Sequence, residues 1–129
     1  MKFERAIQQV AEETGVSQHT LRYYERIGLI LDVARAPNGH RRYTAADLEW
    51  IAFLKQLKAT GMPLVQMQKF AELRRQGDGT AKQRREMLEA HRKTIRQQMQ
   101  ILNDCLAVID DKIERHRQTE RNRYPRRSP

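Results

Sequence analysis

The stretch TLRYYERIGLI, residues 20–30, places two adjacent tyrosines, Tyr23 and Tyr24, between Arg22 and Arg26. Guanidinium and phenol groups donate hydrogen bonds to phosphate oxygens, and arginine also reads the edges of bases. A helix face that is only solvated needs charged side chains but no aromatic rings. The stretch therefore indicates a surface that contacts a polyanion. The alternative is a solvated face in which Tyr24 is a core ring and Tyr23 is incidental.

Two short helices are expected to carry this stretch. Apolar residues recur at helical spacing at Ile7, Val10 and Ala11. Gly15 follows, where a left-handed C-terminal residue is favoured, and Ser17 can cap a second helix that ends before Gly28. Two short helices joined by a glycine-containing turn form a helix-turn-helix pattern.

The second helix has an inner and an outer face. Leu21 and Tyr24 point toward the first helix. The outer side holds Gln18, His19, Arg22, Tyr23 and Arg26. If this side enters a DNA major groove, His19 and Arg22 would reach base edges, and the hydroxyls of Tyr23 and Tyr24 would donate to phosphates.

A small β-hairpin is predicted next. The Pro-Asn-Gly sequence at 37–39 is a strong turn signal, with LDVAR and HRRY as its flanking strands. The alternation of side chains along a strand places Arg41 and Arg42 on opposite faces. Such a basic hairpin after a helix-turn-helix can hold flanking phosphates. The alternative is a surface hairpin with charged flanks.

The remainder is predicted to be helical. Thr44 and Asp47 form a capping box before a helix that is apolar on several sides, and Pro63 fits the first turn of the next helix.

We expect residues 1–77 to form one domain, 80–117 a long helix, and 118–129 a basic disordered tail. The long helix has apolar residues at coiled-coil spacing, so it is predicted to pair with a second chain: Leu88, Ile95, Met99, Leu102, Leu106, Ile109 and Ile113. An intramolecular hairpin is disfavoured because the chain has no second long amphipathic helix.

Charge and cysteine content narrow the function classes. The 129 residues include 25 Lys+Arg and 16 Asp+Glu, a net charge of +9, which favours a polyanionic partner. The single cysteine, Cys105, excludes an internal disulfide and suits the cytoplasm. We expect no signal peptide and no membrane span. No catalytic arrangement stands out, so we expect neither an enzyme nor a cofactor. An adaptor coiled-coil protein and an RNA-binding protein remain alternatives.

Four motifs in order resemble the MerR family of transcription regulators: TGVSQHTLRYYERIGLI, NGHRRYT, DLEWIAFLKQLKATGMPL and the final heptad helix. The resemblance implies a mainly α winged helix-turn-helix followed by an antiparallel coiled coil. It implies a homodimer that untwists the overlong spacer of a promoter so that RNA polymerase engages both promoter elements. It also implies a second wing near Lys58–Met62. The positions implied to contact DNA are His19, Arg22, Tyr23, Tyr24, Asn38, His40, Arg41, Arg42 and Tyr43, with Lys58 in the second wing.

The resemblance leaves the inducing signal open. The chain is short and resembles the aldehyde- and thiol-stress branch, but Gln56 lies in the helix where that branch often has a reactive cysteine. The four histidines lack ligand spacing, so no metal site is predicted. Cys105 is the one candidate sensor, and we expect it to be a packing residue at the flank of the coiled coil.

Overall fold

The computed structural model describes residues 5–31, 33–39 and 41–124. It is mainly helical, as predicted, and divides into a first unit that ends at Leu88 and a second that begins at Glu89. The elements are α1 (Ile7–Thr14), α2 (Gln18–Arg26), β1 (Ala34–Arg35), β2 (Arg41–Arg42), α3 (Ala45–Ala59), α4 (Leu64–Arg75) and α5 (Ala81–Arg123), with a short 3-10 turn at Asp78–Thr80 before α5.

The turn between α1 and α2 forms as the sequence predicts. Gly15 adopts φ 73°, and its N–H donates to the carbonyl of Ala11 at 2.9 Å, which closes α1. The Ser17 hydroxyl accepts a hydrogen bond from the N–H of Thr20 at 3.1 Å, which opens α2. Each cap involves only residues within one turn of backbone, so both helix ends follow from the local sequence.

One apolar core joins the four short helices of the first unit. Trp50 of α3 stacks on Phe70 of α4, with ring centroids 5.9 Å apart, and its indole N–H donates to the carbonyl of Leu29 at 2.7 Å. Leu21 and Ile51 are fully buried beside them. The prediction that α3 is buried on more than one side is confirmed, because Trp50, Ile51, Leu54 and Leu57 are all buried.

The first unit extends beyond the boundary that we placed at residue 77. The buried Thr80 hydroxyl donates to the carbonyl of Leu73 at 2.5 Å, and Arg84 donates to the Thr80 hydroxyl at 3.1 Å. Leu88, which we predicted to be a coiled-coil residue, is half-buried against the core of this unit. The start of α5 therefore belongs to the globular part of the chain.

The second unit consists of the rest of α5. The helix continues to Arg123, past the end that we placed at Arg117, so residues 118–123 are helical rather than part of a disordered tail. An apolar row on α5 is exposed in the single chain from Met99 onward, while Ile95 is half-buried. The exposed members of the predicted seam are Met99, Leu102, Leu106, Ile109 and Ile113. None of the helices in the described part of the chain is long and apolar enough to cross a membrane.

Candidate nucleic-acid interface

The outer face of α2 presents the polar side chains that the sequence placed there. His19, Arg22 and Arg26 are exposed, and Tyr23 is 37% exposed. The Arg26 guanidinium lies 5.8 Å from the centre of the Tyr23 ring, within the range of a cation–π contact. Arg22 donates to the side-chain carbonyl of the half-buried Gln18 at 3.4 Å. The arginines are thus oriented by neutral partners, which leaves their charges available to a polyanion.

Tyr24 lies on the other side of α2, in the core. It is only 4% exposed. The inward orientation expected for Tyr24 is confirmed by this burial. Of the two adjacent tyrosines, Tyr23 is the more exposed.

The predicted hairpin is present, with strands of two residues each. Strands β1 and β2 pair antiparallel, and Arg35 lies opposite Arg41. The N–H of Gly39 donates to the carbonyl of Ala36 at 2.8 Å, and Gly39 has φ 84°, which a residue with a side chain rarely adopts. Asn38 is exposed at the tip. His40, which we predicted to contact DNA, lies outside the described residues.

Arg41 and Arg42 face opposite sides of the hairpin, as the alternation predicts. Arg42 is exposed. The Arg41 side chain is only 22% exposed, and its Nε donates to the carboxylate of Glu25 on α2. Arg41 is therefore paired within the protein, and Arg42 is the more exposed of the two arginines.

Tyr43 is also a core residue. It is fully buried, and its backbone pairs with that of Arg5 through hydrogen bonds of 2.7 and 2.8 Å. Burial raises the pKa of the Tyr43 phenol, and the nearby charge of Glu25 raises it further. The hydroxyl is buried and has no hydrogen-bond partner among the described residues. A buried hydroxyl cannot reach a phosphate, so the expected DNA contact of Tyr43 is not supported.

Another exposed cation lies where α3 turns into α4. Lys58 is exposed, and its carbonyl accepts a hydrogen bond from Gly61 at 3.0 Å. Gly61 has φ 88°, and Met62 is buried. The buried methionine fixes the turn to the core while Lys58 projects from the surface, as expected for a second wing.

Two residues that fix the wing, Glu25 on α2 and Arg35 on β1, were missed in the sequence. Glu25 accepts hydrogen bonds from Arg41 and, at 3.4 Å, from Arg35. Arg35 also donates to the carbonyl of Gly39 at 3.1 Å. The sequence did contain a signal for Glu25. It is the only acid in the basic stretch RYYER, and such an acid is expected to pair with a nearby cation.

The described residues contain no cluster of three side chains suited to hold a metal ion. Cys105 is exposed in the single chain.

Comparison with known proteins identifies the family. Residues 5–73 match the model of the MerR HTH family regulatory proteins, and residues 48–112 match the model described as MerR, DNA binding. The chain belongs to the MerR family. It is a DNA-binding transcriptional regulator.

Relatives and solved structures agree with this assignment. An HTH-type transcriptional regulator of Haemophilus influenzae is 38% identical over 103 residues, which cover 80% of this chain and 76% of the relative. The crystal structure of HiNmlR, a MerR family regulator lacking the sensor domain and bound to promoter DNA, superposes with a TM-score of 0.83 at 33% identity, over 92% of this chain and 94% of that one. A MerR family transcriptional regulator from Listeria monocytogenes gives a TM-score of 0.82 at 34% identity, over 87% and 85% of the two chains.

Proposed function

We propose that this regulator binds promoter DNA as a homodimer and changes the geometry of the spacer between promoter elements so that RNA polymerase can engage both. The observation that carries the proposal is the similarity to HiNmlR, which lacks a sensor domain and is bound to promoter DNA, over nearly the whole of both chains. Such a mechanism places specificity partly in the deformation of DNA rather than in contacts with bases. It would operate in the cytoplasm, on the nucleoid.

The DNA surface that we propose consists of exposed cations and one exposed ring. Arg22 and His19 read base edges, and Tyr23 and Arg26 hold phosphates from the same face of α2. Arg42 and Asn38 on the hairpin and Lys58 at the second turn extend the contact along the backbone. Gln18 orients Arg22, because the two side chains are hydrogen-bonded.

The homodimer is proposed on the apolar row of α5. Met99, Leu102 and Leu106 are all more than half exposed in the single chain, and Ile109 continues the row. Water contact with such a row is unfavourable, and knobs-into-holes packing with the same row of a second copy removes it. The core of this seam runs from Ile95 to Ile113, because Leu88 already packs within the first unit.

We propose a stress signal as the input, on the resemblance to the aldehyde- and thiol-stress branch. Cys105 follows Leu102 and precedes Leu106 on α5, so in the proposed dimer it lies at the flank of the seam. We assign it to packing there, because a lone cysteine beside apolar seam residues behaves as a small apolar side chain.

Footprinting on the DNA upstream of the protein's own gene and its neighbours tests the proposal. We expect protection of a promoter spacer and a binding constant whose logarithm falls linearly with the logarithm of salt concentration. Binding that does not depend on salt, or no binding to duplex DNA, would contradict the proposal and favour a coiled-coil adaptor.

A further inference from the structure

Glu25 joins α2 to both strands of the wing. Its carboxylate accepts hydrogen bonds from Arg41 on β2 and, at 3.4 Å, from Arg35 on β1. The side chains of Glu25 and Arg41 are only 23% and 22% exposed, whereas that of Arg35 is 49% exposed. The more buried arginine is thus the one that Glu25 holds more closely.

The carboxylate supports the hairpin in two ways, beside the backbone pairing of Tyr43 with Arg5. Strands of two residues contribute too few hydrogen bonds to fix a hairpin by themselves. In addition, Arg35 lies directly opposite Arg41 in the strand register. Like charges at such a cross-strand position repel each other, and the carboxylate between them offsets that repulsion.

The position of Glu25 also matters for the DNA-binding surface. It lies on α2 between Tyr24 and Arg26, and Arg26 is exposed on the outer face. A carboxylate beside a phosphate-binding surface weakens non-specific attraction to DNA. A hairpin whose arginines were both released would instead bind phosphates of any sequence.

We propose that Glu25 is a positioning residue that determines specificity: it fixes the wing against the recognition helix and withholds Arg41 from the phosphate backbone. Arg42 and the more exposed Arg35 are then the phosphate-binding arginines of the wing. The inference rests on the proposed DNA-binding surface and adds a division of labour among its charges.

Glu25→Gln in the full-length protein tests the inference, with Glu49→Gln as the control. Glu49 is an exposed acid on α3, so both variants lose one negative charge. Salt dependence of binding is measured on an operator duplex found by footprinting and on a scrambled duplex.

For Glu25→Gln we expect the slope of log K against log[salt] to steepen by about one per protomer, because the released Arg41 binds a further phosphate. We expect non-operator affinity to rise several-fold and the ratio of operator to non-operator affinity to fall about tenfold, since each freed phosphate contact carries no sequence information. Glu49→Gln should retain the wild-type slope and ratio.

The double variant Glu25→Gln/Arg41→Gln separates the inference from simple loss of structure. It preserves net charge and replaces the ion pair with two amides, so it also serves if the single variant does not fold. For the double variant we expect the wild-type slope of log K against log[salt], because Arg41 does not contact phosphate in the wild type. We also expect a lower ratio of operator to non-operator affinity, because Glu25 no longer fixes the wing against the recognition helix. A slope shallower by about 0.9 per protomer would make Arg41 a phosphate contact and overturn the inference. A single variant identical to wild type, in a wild type that binds with a normal salt dependence, would also overturn it. A wild type without salt-dependent binding would instead reject the proposed function itself.

Discussion

Tyr43 has a buried hydroxyl with no hydrogen-bond partner among the described residues, and this determines how its replacement should behave. Tyr43→Phe removes an unsatisfied polar group while retaining the ring. We expect stability at pH 7 to be unchanged or to increase by up to about 1 kcal/mol, as measured by urea unfolding. Affinity for the operator should be unchanged, because a fully buried residue does not contact DNA. A loss of affinity in a stable variant would restore the DNA contact that the family resemblance implied.

Tyr43 should also make the stability of the protein depend on pH in the alkaline range. The pKa of Tyr43 is raised above its ordinary value of 10.0 in the folded protein. Above pH 10 the unfolded chain releases the phenol proton while the folded protein retains it, so stability falls as pH rises from there toward the folded pKa. Tyr43→Phe should lose less stability than the wild type between pH 9 and pH 11. Tyr124→Phe is the control, because it removes the same hydroxyl from a residue that is 74% exposed.

Arg22 and Tyr23 should have separable effects on binding. Arg22→Ala should relax sequence preference by about 1–3 kcal/mol at one base position if Arg22 reads a base edge. Tyr23→Phe should weaken binding to all sequences alike, since it removes only a phosphate hydrogen bond. Competition binding with a set of single-base operator variants distinguishes the two patterns. Equal losses on every sequence for Arg22→Ala would place Arg22 on the backbone.

At the scale of elements, the start of α3 is fixed by a capping box. The Thr44 hydroxyl accepts a hydrogen bond from the N–H of Asp47 at 3.2 Å, and the Asp47 carboxylate accepts one from the N–H of Thr44 at 2.9 Å. Thr44→Ala should lower the free energy of unfolding by about 1 kcal/mol, measured by thermal or urea unfolding. Thr119→Ala, within α5, is the control. It removes a threonine from a helix interior, where alanine is favoured, and should not destabilise the protein.

At the scale of the whole molecule, α5 requires a partner for its apolar row. Leu102→Asp/Leu106→Asp places charges in the proposed seam and should convert a dimer to a monomer in sedimentation experiments at micromolar concentration. Ile101→Asp/Val108→Asp is a matched control. Ile101 and Val108 are comparably exposed on the same helix, but they lie outside the a and d positions that form the seam. The control should remain dimeric. A monomeric wild type, or equal effects of both pairs, would contradict the proposed interface.

Local chemistry was sufficient to predict most elements. Gly15 with Ser17, and Thr44 with Asp47, act within one turn of backbone, so their roles are contained in a few consecutive residues. The heptad spacing of α5 is likewise a property of one helix. The order of these motifs also carried the resemblance to the MerR family, which the family comparison confirmed.

The tertiary structure decided which of the candidate side chains remain available. Helical periodicity placed Tyr24 on the inner face of α2, and the structure shows how far this buries it, since Tyr24 is 4% exposed and Tyr23 is 37% exposed. Arg41 and Arg42 differ because Glu25, distant in sequence, lies beside one of them. Leu88 follows the apolar pattern of α5 yet contacts the core of the first unit. Periodicity assigns a residue to a face of its own helix or strand, but the neighbour that covers that face comes from elsewhere in the chain. The sequence by itself therefore determined the elements and the family, and the fold determined which charges and rings are left for DNA.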